Sequence, residues 1–265
     1  MAGFSGRMRL KLIISYDGAP FAGWQSQAGG DAVQDVIEAA FRKIVGDRVV
    51  VQGSGRTDAG VHALAQVAHA EVPDDSLPLD AWLRALNANL PPGVRIMRVT
   101  RAARDFHARF SATGKVYRYR IRNGQVLPPL ELGRVWHVAS PLALGDLRSA
   151  AEIFVGEHDF AAFAANRGGP IHSTVRRITS ITITEEAGLF SLRFEGGGFL
   201  YKMVRMLTAA LVRHALGKAS LDDLRGILRN GSPKWNHVAP AEGLYLEKVL
   251  YSGTKSPQVL PSEPV

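Results

Sequence analysis

The 265-residue chain has no cysteine. That one absence excludes disulfides, thiolate nucleophiles and Cys-ligated zinc. No apolar run reaches the length needed to span a bilayer, and "MAGFSGRMRL" at the N-terminus lacks the apolar core of a signal peptide. A cytoplasmic protein without a membrane partner is expected. Acidic residues are the scarcer charge, with 24 Asp and Glu against 32 Lys and Arg, giving a net charge of +8 and a pI near 10.0. This balance favours polyanionic partners, among which nucleic acid is the commonest.

What is present is enough for a core: 46% of residues are hydrophobic, in a length that suits one large domain or two ordinary ones. "RLKLIISY" alternates as a strand, and Val33, Val36, Ile37, Ala40, Phe41 and Ile44 recur at helical spacing. Asp31 is the expected N-cap of that helix and Gly46 its stop. Strand patterns follow at Arg48–Gly53 and Ala65–Val72, then a helix over Leu79–Asn89 and the strand "VRIMRVT". The order is β-α-β-β-α-β, the ferredoxin-like arrangement.

Beyond a linker around Arg101–Ala112 the order nearly repeats. "KVYRYRIR" reads as a strand, Leu142–Val155 as a helix, and Arg177–Glu185 and Leu189–Glu195 as strands. A long helix fits Leu200–Leu216, Ser220 and Asp223 form a capping-box pattern, and "GLYLEKVLYS" closes as a strand. The expected organisation is an α+β chain with one half over residues 1–104, another over 105–251, and a mobile tail over 252–265.

The densest cluster of chemistry is "GSGRTDAGVHA", residues Gly53 to Ala63. A Walker loop requires lysine where Val61 stands, and a dinucleotide fingerprint requires glycine where Asp58 stands. Asp58 and His62 lack a third ligand nearby, so no metal site is expected. What remains is a turn between two strands, with glycines that allow positive φ or a close approach. It presents Asp58 with Arg56 two residues away. Arg56 can grip a phosphate bidentately or favour the ionised carboxylate, and an ordinary turn carrying a surface ion pair has the same spacing. A hydrolase built on Asp58 and His62 would lack its Ser, Cys or metal partner.

The stretch "GSGRTDAGVHALAQVAH" resembles the tRNA pseudouridine synthase A family, whose usual form is GAGRTDAGVHA. "YDGAPFAGWQSQ", "VQDVIEAAF", "LNANLP", "FHARFSA", "YRYRI", "GEHDFAAF", "TVRRI", "FLYKMVRML" and "EGLYL" extend the resemblance, in order, over roughly residues 9 to 251. It implies isomerisation of uridine to pseudouridine at positions 38 to 40 of the tRNA anticodon stem-loop, without cofactor or metal. It implies two ferredoxin-like halves joined in a central, mainly antiparallel sheet with helices on one side, and a homodimer spanned by the tRNA.

The resemblance places the catalytic aspartate at Asp58 and its arginine neighbour at Arg56. Tyr117 falls where a tyrosine stacks on the target base, Arg205 where a basic residue pairs with the aspartate, and Leu244 where an apolar residue lines the uridine pocket. Lys202 shares a face with Arg205 on the expected helix, as a phosphate contact or as part of a solvated basic face. Arg167, Arg176 and Arg177, around a Gly-Pro loop, are further candidate phosphate contacts. Ser54 replaces the more usual alanine, and Ala164 stands where many members carry arginine. A non-catalytic RNA binder of two RRM-like halves is the competing reading, although no aromatic-rich RNP1 segment is present.

Overall fold

In the computed structural model, residues 6–73, 77–166 and 173–252 are described. The first half comprises β1 (Arg7–Tyr16), α1 (Val33–Val45), β2 (Gln52–Gly53), β3 (His62–Pro73), α2 (Leu79–Ala88) and β4 (Val94–Arg101). β1 alternates strictly because Met8, Leu10, Leu12, Ile14 and Tyr16 are buried while the residues between them are not. The N-cap of α1 is Ala32 rather than Asp31: Ala32 N–H donates to the Asp35 carboxylate at 3.1 Å, while the Asp31 carbonyl accepts from Ala22 N–H. Gly46 closes the helix in the left-handed conformation, at φ 81°.

The second half comprises β5 (Ala112–Asn123), β6 (Trp136–Val138), α3 (Leu144–Glu152), β7 (Gly156–Asp159), β8 (Val175–Glu186), β9 (Leu189–Gly196), α4 (Met203–Ala215), α5 (Leu221–Asn230) and β10 (Leu244–Tyr251). The capping box of α5 is formed, with Ser220 Oγ accepting from Asp223 N–H at 3.0 Å and the Asp223 carboxylate accepting from Ser220 N–H at 2.9 Å. The strand expected from Arg48 shrinks to Gln52–Gly53, the only part that pairs with β3. The helix expected over Leu142–Val155 is shorter at both ends, and β6 and β7 are additions.

Among the described residues the strands form one sheet in the order β4-β1-β3-β10-β5-β9-β8-β7, with β2 on β3 and β6 on β5. Each half has the ferredoxin-like order: β4-β1-β3-β2 in the first and β10-β5-β9-β8 in the second. Pairing is antiparallel except for β3 with β10 and β5 with β6. The helices cover the sheet through contacts of α1 with α2, α2 with β4, and α3 with α4 and β8. A single apolar core runs through both halves.

The seam positions the site. On one edge of β3, β2 pairs at Gln52↔His69 and Gly53↔Ala68, and β10 pairs at Tyr245↔His62 and Leu246↔Ala63. Between those two levels the edge has no strand partner. The segment Ser54–Val61 runs there, from the end of β2 to the start of β3.

Candidate active site

Side chains replace the missing strand partner along that gap. Ser54 N–H donates to the Val67 carbonyl at 2.7 Å, and Gln66 Nε2 donates to the Gly55 carbonyl at 3.0 Å. Ser54 Oγ donates to Gln66 Oε1 at 2.6 Å, so the serine in place of alanine adds a buried bond. Thr57 fastens the far side: its carbonyl accepts from Trp24 N–H at 3.1 Å, and its hydroxyl lies 2.8 Å from the Tyr16 hydroxyl. Burial drives the Tyr16 phenol upward from its usual range, so the group is a neutral hydrogen-bonding post.

The glycines have distinct uses. A Cβ at Gly53 would fall 2.5 Å from the buried Trp24 ring. At Gly55 the space is occupied by the Lys115 ammonium. Gly60 adopts φ 78°, which turns the chain back into β3 directly after Asp58. Val61 N–H donates to the Asp58 carbonyl at 3.1 Å and closes the turn.

The turn holds Asp58 only 16% exposed, with its Oδ2 3.4 Å from Arg205 Nη1. Arg205 is the third residue of α4, and its Nε donates to the Ala239 carbonyl at 2.7 Å. Ala239 N–H in turn donates to the Arg205 carbonyl at 3.1 Å, which straps the start of α4 to the segment entering β10. A guanidinium held on both sides is a fixed counter-charge for a carboxylate in a partly enclosed space.

Asp58, Arg56, Tyr117, Arg205, Leu244 and Lys202 all line one cavity of about 940 Å³. Tyr117, on β5, is 8% exposed and packs edge-on against Phe199 with ring centroids 5.2 Å apart. Leu244 opens β10 beside it, opposite Tyr119 in the register. Tyr119 is core, fully buried with its hydroxyl donating to the Pro240 carbonyl at 2.8 Å. Arg56 stands exposed at the mouth, with Nε donating to Gln25 Oε1 at 3.2 Å.

Lys202 does not share a helical face with Arg205, because α4 begins only at Met203. Lys202 precedes it in the left-handed conformation, φ 59°, and its ammonium lies 5.2 Å from the centre of the Tyr201 ring. Arg176 and Arg177 stand on β8, outside the cavity lining, and Arg176 folds onto the carbonyls of Ser173 and Val175. Arg167 lies outside the described residues.

His62 is taken up by the scaffold. Its Nδ1 accepts from Gly18 N–H at 3.0 Å, its Nε2 donates to the Gly133 carbonyl at 3.1 Å, and its ring stacks on Tyr245 at 4.7 Å. Burial lowers its pKa and favours this neutral form. The pairing of Asp58 is with Arg205, which leaves an Asp58–His62 hydrolase without support. Among the described residues, no three His, Asp or Glu side chains group as metal ligands.

The cavity also holds a basic residue that no sequence motif singles out. Lys115 lies two residues before Tyr117 on β5 and lines the same cavity, its ammonium above Gly55. Strand alternation alone puts it on the Tyr117 face, so the signal was present. Arg118 and Arg122, on the other face, are engaged by Glu247 and Glu131.

The sequence profile describing tRNA pseudouridine synthases matches residues 12–111 and 150–252. A protein of Akkermansia muciniphila named tRNA pseudouridine synthase A is 44% identical over 251 residues, covering 92% of this chain and 95% of that protein. Proteins with the same name from Solidesulfovibrio magneticus and Limosilactobacillus fermentum are 46% and 41% identical. They cover 92% and 94% of this chain and 91% and 98% of their own lengths.

Proposed function

The chain belongs to the tRNA pseudouridine synthase family, and from that premise we propose that Asp58 is its catalytic residue. The enzyme isomerises uridine to pseudouridine in tRNA. The observation that carries the assignment of Asp58 is its convergence with Arg205, Tyr117 and Leu244 in one cavity at the seam of the sheet. We assign the catalytic turn to a half over residues 1–104 and the other three residues to a half over 105–251. The uridines are those at positions 38 to 40 of the anticodon stem-loop, and the enzyme is a cytoplasmic homodimer. The net charge of +8 suits such a substrate. No described helix is long and apolar enough to cross a membrane.

The reaction breaks the N1–C1′ bond, turns the uracil, and joins C5 to C1′. The proton lost from C5 is balanced by one gained at N1, so no external reactant is consumed. A carboxylate can serve as nucleophile or as base at the sugar, and Asp58 is placed for either role with Arg205 as its counter-charge. Lifting the uridine from its stem costs a few kcal/mol, and stacking on the Tyr117 ring returns about 1–3 kcal/mol of that. Leu244 closes the apolar side of the pocket, which holds the base while it turns. Arg56, exposed at the mouth, fills the space the uridine leaves or holds a flanking phosphate.

Pseudouridine mapping of an unmodified tRNA, incubated with wild type or with Asp58→Asn, tests this reading. Product at one or more of the three positions with wild type and none with the variant is expected, with tRNA binding retained. Product from the variant, or none from wild type, overturns it.

A further inference from the structure

Resting on that reading, we propose that Lys115 is a substrate-binding residue that grips a phosphate flanking the flipped uridine from the β5 side of the cavity. Among the described residues Lys115 makes no ion pair or hydrogen bond, although it is largely buried in the cavity wall. Its charged neighbour is another cation, Arg109, on the segment leading into β5. The carboxylate across the cavity, Asp58, is paired with Arg205. A buried ammonium without an anion is costly, and chains retain one where a ligand supplies the missing charge. Burial first, and Arg109 second, lower the Lys115 pKa to about 8, consistent with an ammonium whose counter-anion arrives with the substrate.

Two further observations tie the lysine to the site rather than to packing. The ammonium occupies the volume that a side chain at position 55 would take, so the catalytic turn is shaped around it. Alternation along β5 also sets Lys115 on the same face as Tyr117, one pleat away. A base stacked on Tyr117 brings its own backbone within reach of a lysine so placed. Phosphate is the anion that backbone carries.

The test is equilibrium binding of unmodified tRNA over a series of KCl concentrations, with wild type, Lys115→Met and Lys115→Arg. Pseudouridine formation and thermal unfolding are followed on the same preparations. Lys115→Met is expected to bind about tenfold or more weakly at moderate salt, and to lower the salt slope by about one unit. Lys115→Arg is expected to restore both. A folded Lys115→Met with wild-type affinity and slope overturns the proposal. So does one that keeps the slope but loses turnover, which would mark a proton-transfer role. Wild type that makes no pseudouridine overturns the parent reading instead, and this one with it.

Discussion

Arg205 meets Asp58 through Nη1, 3.4 Å from Oδ2, while its Nε donates to the Ala239 carbonyl at 2.7 Å. The guanidinium therefore joins three pieces of chain: α4, the catalytic turn and the segment entering β10. A lysine offers a point charge and cannot hold both partners in a fixed fork.

Arg205→Met is expected to slow single-turnover pseudouridine formation by at least about 100-fold, on the order of 3 kcal/mol. Leaving the Ala239 carbonyl without its donor adds about 1–3 kcal/mol of lost stability. Arg205→Lys should fall between. A Met variant that turns over at the wild-type rate would remove Arg205 from the mechanism.

Gly53→Ala drives a methyl to 2.5 Å from the Trp24 ring, which is 2% exposed and linked through its backbone to both Thr57 and Gln34. The ring has no room to retreat, so a loss of about 1–3 kcal/mol is expected, read as a lowered Tm. Trp24→Leu in the same chain relieves the clash, and the two changes should cost less together than their sum. Strict additivity would show that the contact is not the cause.

Most elements near the site were legible because period and burial agree there. β1 carries a clean alternation, β5 carries one from Tyr117 onward, and α5 carries its own capping box. β7 escaped because Gly156–Asp159 holds no β-branched residue and pairs on one side only, at the sheet edge. The start of α4 was misplaced because Lys202 is held in a left-handed conformation that lysine rarely adopts. The turn at Gly53–Ala63 was legible as a turn, since glycine spacing is local. Its partner was not: Arg205 lies 147 residues away, and only the family resemblance brought the two together. Lys115 was visible on the right face, yet nothing in a single sequence tells that a strand lysine lacks a carboxylate.

Acid should weaken the fold through buried neutral histidines. His69, 5% exposed, accepts from Ala108 N–H at 3.2 Å, and burial, then nearby His107 and Arg9, lower its pKa to about 4. Between the unfolded value near 6.5 and about 4, the unfolded chain binds more protons, so stability falls as pH falls through that window. His62 shifts in the same direction and adds to the effect. Tm measured from pH 7 to pH 4.5 should decline, and His69→Gln, whose amide oxygen can still accept from Ala108, should flatten part of the slope. An unchanged slope in that variant would sink the assignment.

Lys115 should act with the same sign in a more alkaline window. Its ammonium is disfavoured in the fold, with a pKa near 8 against an ordinary value of 10.5. Between about 8 and 10.5 the unfolded chain holds the extra proton, so the penalty is present in full below pH 8 and fades as pH rises. At pH 7, Lys115→Met removes the penalty and keeps the bulk of the side chain. The tRNA-free variant is therefore expected to be more stable than wild type by on the order of 1–3 kcal/mol, with the gain shrinking toward pH 10. Thermal unfolding at pH 7 and pH 10 measures it. A residue that lowers affinity when removed while raising Tm is retained for its ligand and not for the fold. A destabilised Lys115→Met would instead place the lysine among the packing groups of β5.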